Sequence, residues 1–238
     1  METTVDEIGD GIFRLSTWIE GVTEQGFTFN QFVLTGEDSF LCHTGQRFLF
    51  GDVSRAVSRI VPLDRLRWIS FGHIEADECG AMNLFLDAAP NAEVIHGPLA
   101  CMLSLTDMCD RPPVVANEVI DTGGHRLRFI ATPHVPHNWE AGLWFDETTS
   151  TLLAGDLFTH VGKCPAVTES DIVEPALQAE GFFHATGLTS GLDPTLRALA
   201  DLNPTTLATM HGASFAGDGA GQLHGLADGY AELAGESL

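Results

Sequence analysis

Leu66-Arg67-Trp68-Ile69-Ser70-Phe71-Gly72-His73-Ile74-Glu75-Ala76-Asp77-Glu78 is the stretch that decides how this chain folds and what it holds. Its first six residues have the apolar composition of a buried strand. Gly72 turns the chain, and His73, Glu75 and Asp77 then follow at every second position. On extended or loosely coiled backbone such side chains project to the same side. Three ionisable groups crowded at the mouth of a buried strand repel one another, or are costly to desolvate, unless a cation joins them. The spacing predicts a metal site.

Three more polar groups stand where an apolar strand ends. His134 follows Leu127–Ala131, with Thr132-Pro133 between. Asp156 follows Thr151–Ala154 across Gly155, and His211 follows Thr206–Met210 and precedes Gly212. A single such histidine is more often a hydrogen-bonded structural residue, and an Asp after Gly is usually a turn or helix cap. It is the recurrence of one pattern, at the ends where loop-borne sites assemble on a rigid scaffold, that carries the inference.

The flanking sequence supplies the scaffold. Strands are expected at Gly11–Ser16, Phe27–Thr35 and Ser39–His43, the last two joined by a turn at Gly36-Glu37-Asp38. Phe50, Val53, Val57 and Ile60 recur at helical spacing before Pro62, and further helices are expected at Cys79–Ala89 and Pro98–Leu105, on either side of a strand at Ala92–His96. The second half restarts with strands at Glu118–Asp121, His125–Ala131, Gly142–Asp146 and Thr151–Ala154. Helices are expected near Pro175–Ala185, Pro194–Leu202 and Gly221–Ala234, with a short strand at Thr206–Thr209. Strands followed by strand–helix alternation, occurring twice, predict an α/β chain of two sheets packed face to face with helices outside. No linker, repeat or low-complexity tract divides residues 1–238, so one domain is expected.

Composition narrows the partners. With 33 Asp+Glu against 11 Lys+Arg and a single lysine, Lys163, the chain is a poor match for nucleic acid or anionic membranes, which need basic patches. No apolar run is long enough to span a bilayer, and the acidic N-terminus lacks the features of a signal peptide, so a cytoplasmic location is expected. Cys42, Cys79, Cys101, Cys109 and Cys164 are odd in number and form no C-x-x-C pair; reduced thiols packed as small hydrophobes are expected.

The order His-x-Glu-x-Asp, then a distant His, a distant Asp and a distant His, resembles the metallo-β-lactamase superfamily. Asn30–Leu34 followed by Ser39–Gly45 is similar to that superfamily's early hairpin, which usually ends in Asp-Thr-Gly; here His43 replaces the Asp. The resemblance implies an αββα sandwich of two mixed sheets with a two-metal site at one edge. Hydrolytic members carry a second His where this chain has Glu75, and Glu there resembles the flavodiiron and oxygen-binding diiron branch. His134-Val135-Pro136-His137 is similar to that branch's His-x-Pro motif, and Gly155-Asp156-Leu157-Phe158 to the segment of its bridging Asp. The resemblance implies His73, Glu75 and His134 on one iron, Asp77 and His211 on the other, and Asp156 between them. It departs from the pattern at Glu78, where relatives carry His. Glu78 is open to four roles: ligand of the second metal, hydrogen-bond acceptor behind the ligands, a residue that leaves the second metal an open position for a ligand, or a solvated residue in the first turn of the next helix. His137 and His160 are candidates to line the pocket and donate a hydrogen bond to a bound ligand, and Trp139 is a candidate wall.

Carboxylate in place of imidazole hardens a site toward iron or manganese without excluding zinc. Glu75, Asp77 and Asp156 set three negative charges against four positive charges of a diferrous pair, and Glu78 would make the cluster neutral. The leading expectation is a diiron protein that binds or reduces dioxygen or nitric oxide. With no appended flavodoxin domain, it would draw on a separate electron-donor protein. Against it stand a binuclear zinc hydrolase of an ester, thioester, lactone or phosphoester, a diiron oxygenase of an organic substrate, and a metal-free interaction module. A homodimer remains open.

Overall fold

The computed structural model describes residues 2–236, folded as four layers. The first sheet runs in chain order: β1 (Thr3–Gly9), β2 (Ile12–Ile19), β3 (Phe27–Leu34), β4 (Ser39–Cys42), β5 (Leu66–Ser70), β6 (Glu93–His96) and β7 (Val114–Val115). β1 to β4 are antiparallel, and β4 to β7 parallel. The second sheet contains β8 (Val119–Asp121), β9 (Arg126–Ala131), β10 (Gly142–Asp146), β11 (Thr151–Gly155), β12 (Val167–Thr168), β13 (Thr206–Thr209) and β14 (Ser214–Ala216). Its spatial order is β12-β14-β13-β11-β10-β9-β8, and it too is mixed, β11 lying parallel to β13 and antiparallel to β10.

Helices α1 (Phe50–Ser58), α2 (Ala76–Cys79), α3 (Met82–Ala88), α4 (Pro98–Ala100) and α5 (Thr106–Met108) follow strands of the first sheet, with a π-helical turn over Cys101–Leu105 linking the last two. The second sheet is covered by α6 (Val173–Phe183), α7 (Leu192–Ala200) and α8 (Gly219–Glu236). α3 stands where a helix is expected at Cys79–Ala89, and the separate short helix α2 before it contains Glu78.

Strand β3 explains the sandwich. All eight of its residues are buried, so it has no solvent face. Phe27, Phe29 and Val33 enter the cluster beneath α1 and α3, whereas Phe32 and Leu34 enter the cluster between the sheets. The period of two along a strand sorts alternate residues into different layers. β10 and β11 do the same: Leu143, Phe145, Leu152 and Ala154 pack under α6, α7 and α8, while Trp144 and Leu153 face the other sheet. Phe32 and Phe40, both fully buried between the sheets, each contribute roughly 1.5–3 kcal/mol.

Hydrogen bonds stitch the sheets together along one edge. Trp144 Nε1 donates to Ser70 Oγ at 2.8 Å, and Gly142 N donates to Gly72 O at 2.8 Å. The fully buried Asn30 amide donates to Thr209 O and Gly212 O, both at 2.9 Å. Buried polar groups satisfied in this way rigidify the place where they converge. That place is the end of β5 and β13, next to the candidate ligands. The cysteines are free, with Cys42, Cys79 and Cys101 buried, and among the described residues no helix is long and apolar enough to cross a membrane.

Candidate metal centre

Four loops deliver the ionisable groups. Each leaves the end of a strand on the stitched edge: His73 to Asp77 after β5, the 132–141 loop after β9, Asp156 directly after β11, and His211 after β13. Two groups of side chains form there. In the first, one ligand atom from each of His73, Glu75, His137 and Asp156 lies within 4.8 Å of the others. Glu75 Oε2 sits 2.9 Å from His73 Nε2 and 3.1 Å from His137 Nε2, and Asp156 Oδ2 is 3.7 Å from both nitrogens. In the second, His211 Nε2 lies 3.4 Å from Asp77 Oδ2 and 3.3 Å from Asp156 Oδ1. Asp156 therefore turns one oxygen to each group.

The imidazoles are aimed from behind. His73 Nδ1 is 3.2 Å from Glu78 Oε1, and His211 Nδ1 donates to Thr28 O at 2.8 Å. Both contacts leave Nε2 facing the carboxylates, the arrangement in which an outer partner fixes the tautomer of a ligating histidine. Phe27 stacks on His211 with centroids 4.3 Å apart, and Phe29 meets it edge-on.

Charge crowding is severe. Burial pulls the His73 imidazolium down, but Glu78, Glu75 and Asp156 outweigh it and push the group up to about 11. His211, likewise opposed by burial, is pushed up to about 10 by Asp156 and Asp77. Hydrogen bonds from His137 and His73 hold Glu75 well below the usual carboxylate range. Burial pushes Glu78 up, yet His73, His43 and the His73 backbone N–H hold it down to about 2. Groups that retain protons so strongly are surrounded by more negative charge than the protein itself compensates. Asp156 Oδ1 is buried without a hydrogen-bond partner, 3.3 Å from His211 Nε2. An orphaned carboxylate oxygen between converging imidazole nitrogens fits a cation.

A cavity of about 370 Å³ opens over these groups, walled by Phe27, Phe29, Phe183, Ala176 and Ala179. On its far side Tyr230 and Thr186 are hydroxyl to hydroxyl at 3.1 Å, and Thr186 donates to Glu180 at 2.7 Å. Burial pushes the Tyr230 phenol up to about 12, so it stays protonated at neutral pH.

Against the sequence expectations, His73, Glu75, Asp77, Asp156 and His211 converge, and His134 does not. His134 is exposed at φ 65°, and His137 occupies the position expected of it. Val135, fully buried in the core under α6 and α8, is the reason: it anchors the loop and turns the residue before it outward. The loop is turn and bend rather than strand, so no period in the sequence marks His137 over His134. Glu78 does not face the cavity; it is fully buried behind His73. His160 is a brace, not a pocket group. Its Nδ1 donates to Phe158 O at 2.8 Å and its Nε2 accepts from Ala213 N at 2.9 Å, leaving neither nitrogen free. Trp139 is 55% exposed and stands apart from the cavity wall. His43 is buried with Nε2 3.7 Å from Glu78 Oε1.

The chain is 28% identical over 204 residues to diflavin flavoprotein A 2 of Synechocystis, a match covering 82% of this chain and 34% of that protein. It is 31% identical over 147 residues to diflavin flavoprotein A 1 of Thermosynechococcus vestitus, covering 59% of this chain and 25% of that one. The chain thus spans about a third or less of the length of these curated relatives. Among solved structures, the flavodiiron core of Flv1 from Synechocystis superposes with a TM-score of 0.83 at 20% identity, over 99% of this chain and 61% of that chain. Rubredoxin oxygen:oxidoreductase from Desulfovibrio gigas superposes at 0.78 with 17% identity, over 98% and 62%. At these identities the structural likeness establishes the shared sandwich. Residues 27–212 match the family model described as ODP family beta lactamase, and on that match the chain belongs to the ODP family of the metallo-β-lactamase fold.

Proposed function

We propose that this chain is a non-haem diiron protein that binds or reduces dioxygen or nitric oxide, drawing electrons from a separate donor protein. The observation that carries the reading is the four-residue group His73, Glu75, His137 and Asp156, which shares Asp156 with Asp77 and His211. Two imidazoles and one carboxylate on one ion form the donor set of non-haem ferrous sites, and thiolates are absent from it. Named relatives support the same direction: the curated ones are diflavin flavoproteins, and the solved ones include flavodiiron proteins and a rubredoxin oxygen:oxidoreductase.

His73, Glu75 and His137 would hold the first iron, Asp77 and His211 the second, and Asp156 would bridge. Bound ferrous ions would supply electrons and open coordination positions for a diatomic. The protein's own contribution is electrostatic and steric. Four carboxylates, counting Glu78 behind His73, balance the four charges of a diferrous pair, which lowers the cost of burying it. The Phe27, Phe29 and Phe183 wall limits water in the cavity, and the protonated Tyr230 hydroxyl keeps a proton donor at its far side.

The reading is tested by loading the protein anaerobically with ferrous iron, supplying a chemical reductant and following dissolved oxygen and nitric oxide. Consumption of either gas that is lost in His137→Ala is the expected result. Absence of gas uptake, together with turnover of a chromogenic ester or phosphodiester by a zinc-loaded sample, would favour the hydrolase instead.

A further inference from the structure

Glu78 stands directly after the alternating His73, Glu75 and Asp77, where it is most simply expected to add a ligand to the second metal. Its backbone is already helical, as part of α2, so its side chain departs about 100° around the axis from that of Asp77. It runs backward beneath the turn before the helix. Oε2 accepts from Gly72 N at 2.5 Å and His73 N at 2.7 Å, and Oε1 lies 3.2 Å from His73 Nδ1. His43 Nε2 approaches Oε1 at 3.7 Å from the opposite side, and both side chains are almost wholly buried. A Cβ at Gly72 would lie 3.1 Å from both carboxylate oxygens, so the glycine is what lets Glu78 reach the strand end. Each of these contacts is on the face of His73 turned away from the cavity.

Donor counting then gives two unequal positions. His73, Glu75, His137 and Asp156 surround the first, whereas Asp77, His211 and Asp156 surround the second. Resting on the two-metal reading above, we propose that Glu78 is a positioning residue for His73, not a ligand. In consequence the first metal position is filled before the second, which keeps coordination open. Removing an outer partner of a ligating histidine typically lowers metal affinity about 10–100-fold, and that loss falls here on the first position alone.

Calorimetric and visible-absorption titration of the metal-free 238-residue chain with cobaltous ion tests this. The wild type is expected to show two resolved steps, the tighter one first, and His211→Ala to lose only the second. Glu78→Ala should weaken the first step roughly 10–100-fold. Glu78→Gln should recover part of that loss, because its amide oxygen can occupy the place of Oε1, 3.2 Å from His73 Nδ1. Two equivalent steps in the wild type would overturn the proposal. So would a Glu78→Ala protein that keeps the first step and loses the second, the behaviour of a ligand. If Glu78→Ala fails to fold, Glu78→Gln decides: weakening confined to the first step supports the proposal, and loss confined to the second overturns it. A wild type that takes up no cobalt at all overturns the diiron reading as well, whereas the variant patterns bear on Glu78 alone.

Discussion

Replacing Asp156 with alanine is expected to remove both metals, not one. Its two oxygens face different groups: Oδ2 is 3.7 Å from His73 Nε2 and from His137 Nε2, and Oδ1 is 3.3 Å from His211 Nε2. No other side chain among the described residues touches both sets. Its loss leaves the second position with Asp77 and His211 alone, and removes charge from a site whose histidines already hold protons tightly. Metal analysis after anaerobic iron loading should fall from two irons per chain to below roughly one, since affinity follows ligand number and charge. Asp156→Asn, which keeps the shape but removes the charge, should fall as well. Retention of two irons by the alanine variant would refute the bridging assignment. The circular dichroism spectrum separates this loss from unfolding, because Asp156 lies at the end of β11 and outside the three core clusters.

His137→Ala and His134→Ala should differ sharply. Both residues lie in one short loop after β9, and sequence alone favours His134. Only His137 contacts the carboxylates, through Glu75 at 3.1 Å and Asp156 at 3.7 Å; His134 is exposed. His137→Ala should therefore lower iron content to roughly one per chain, while His134→Ala keeps the full complement. A reversal of the two results would mean that the loop turns over in solution and that the assignment from sequence was correct.

The contrast shows what the sequence makes legible. β5, β11 and β13 carry apolar runs that end in a polar residue, so His73, Asp156 and His211 stand out as strand-end groups. The hairpin of β3 and β4 is legible from its flanking apolar residues and its Gly-Glu-Asp turn, and the structure pairs Phe32 with Cys42 as an antiparallel ladder. β1 is hidden because its sequence, Thr-Thr-Val-Asp-Glu-Ile-Gly, carries adjacent Asp and Glu and lies at a sheet edge, where charged side chains reach water. β12 and β14 are two and three residues long, too short for any period to register. The 132–141 loop has no periodicity, and its geometry depends on the burial of Val135, a tertiary event. Glu78 is the subtlest case. Its identity suggests a ligand, but within α2 it stands about 100° round the axis from Asp77, which carries it behind His73.

The central claim is two cations held by one pair of histidine–carboxylate groups that share Asp156. It is tested most directly by elemental analysis of protein produced and purified without zinc excess, with metal and protein quantified on the same sample. Two irons per chain is the predicted result. A sample that stays free of transition metals after anaerobic loading, or that holds a single zinc with no further capacity, would contradict it.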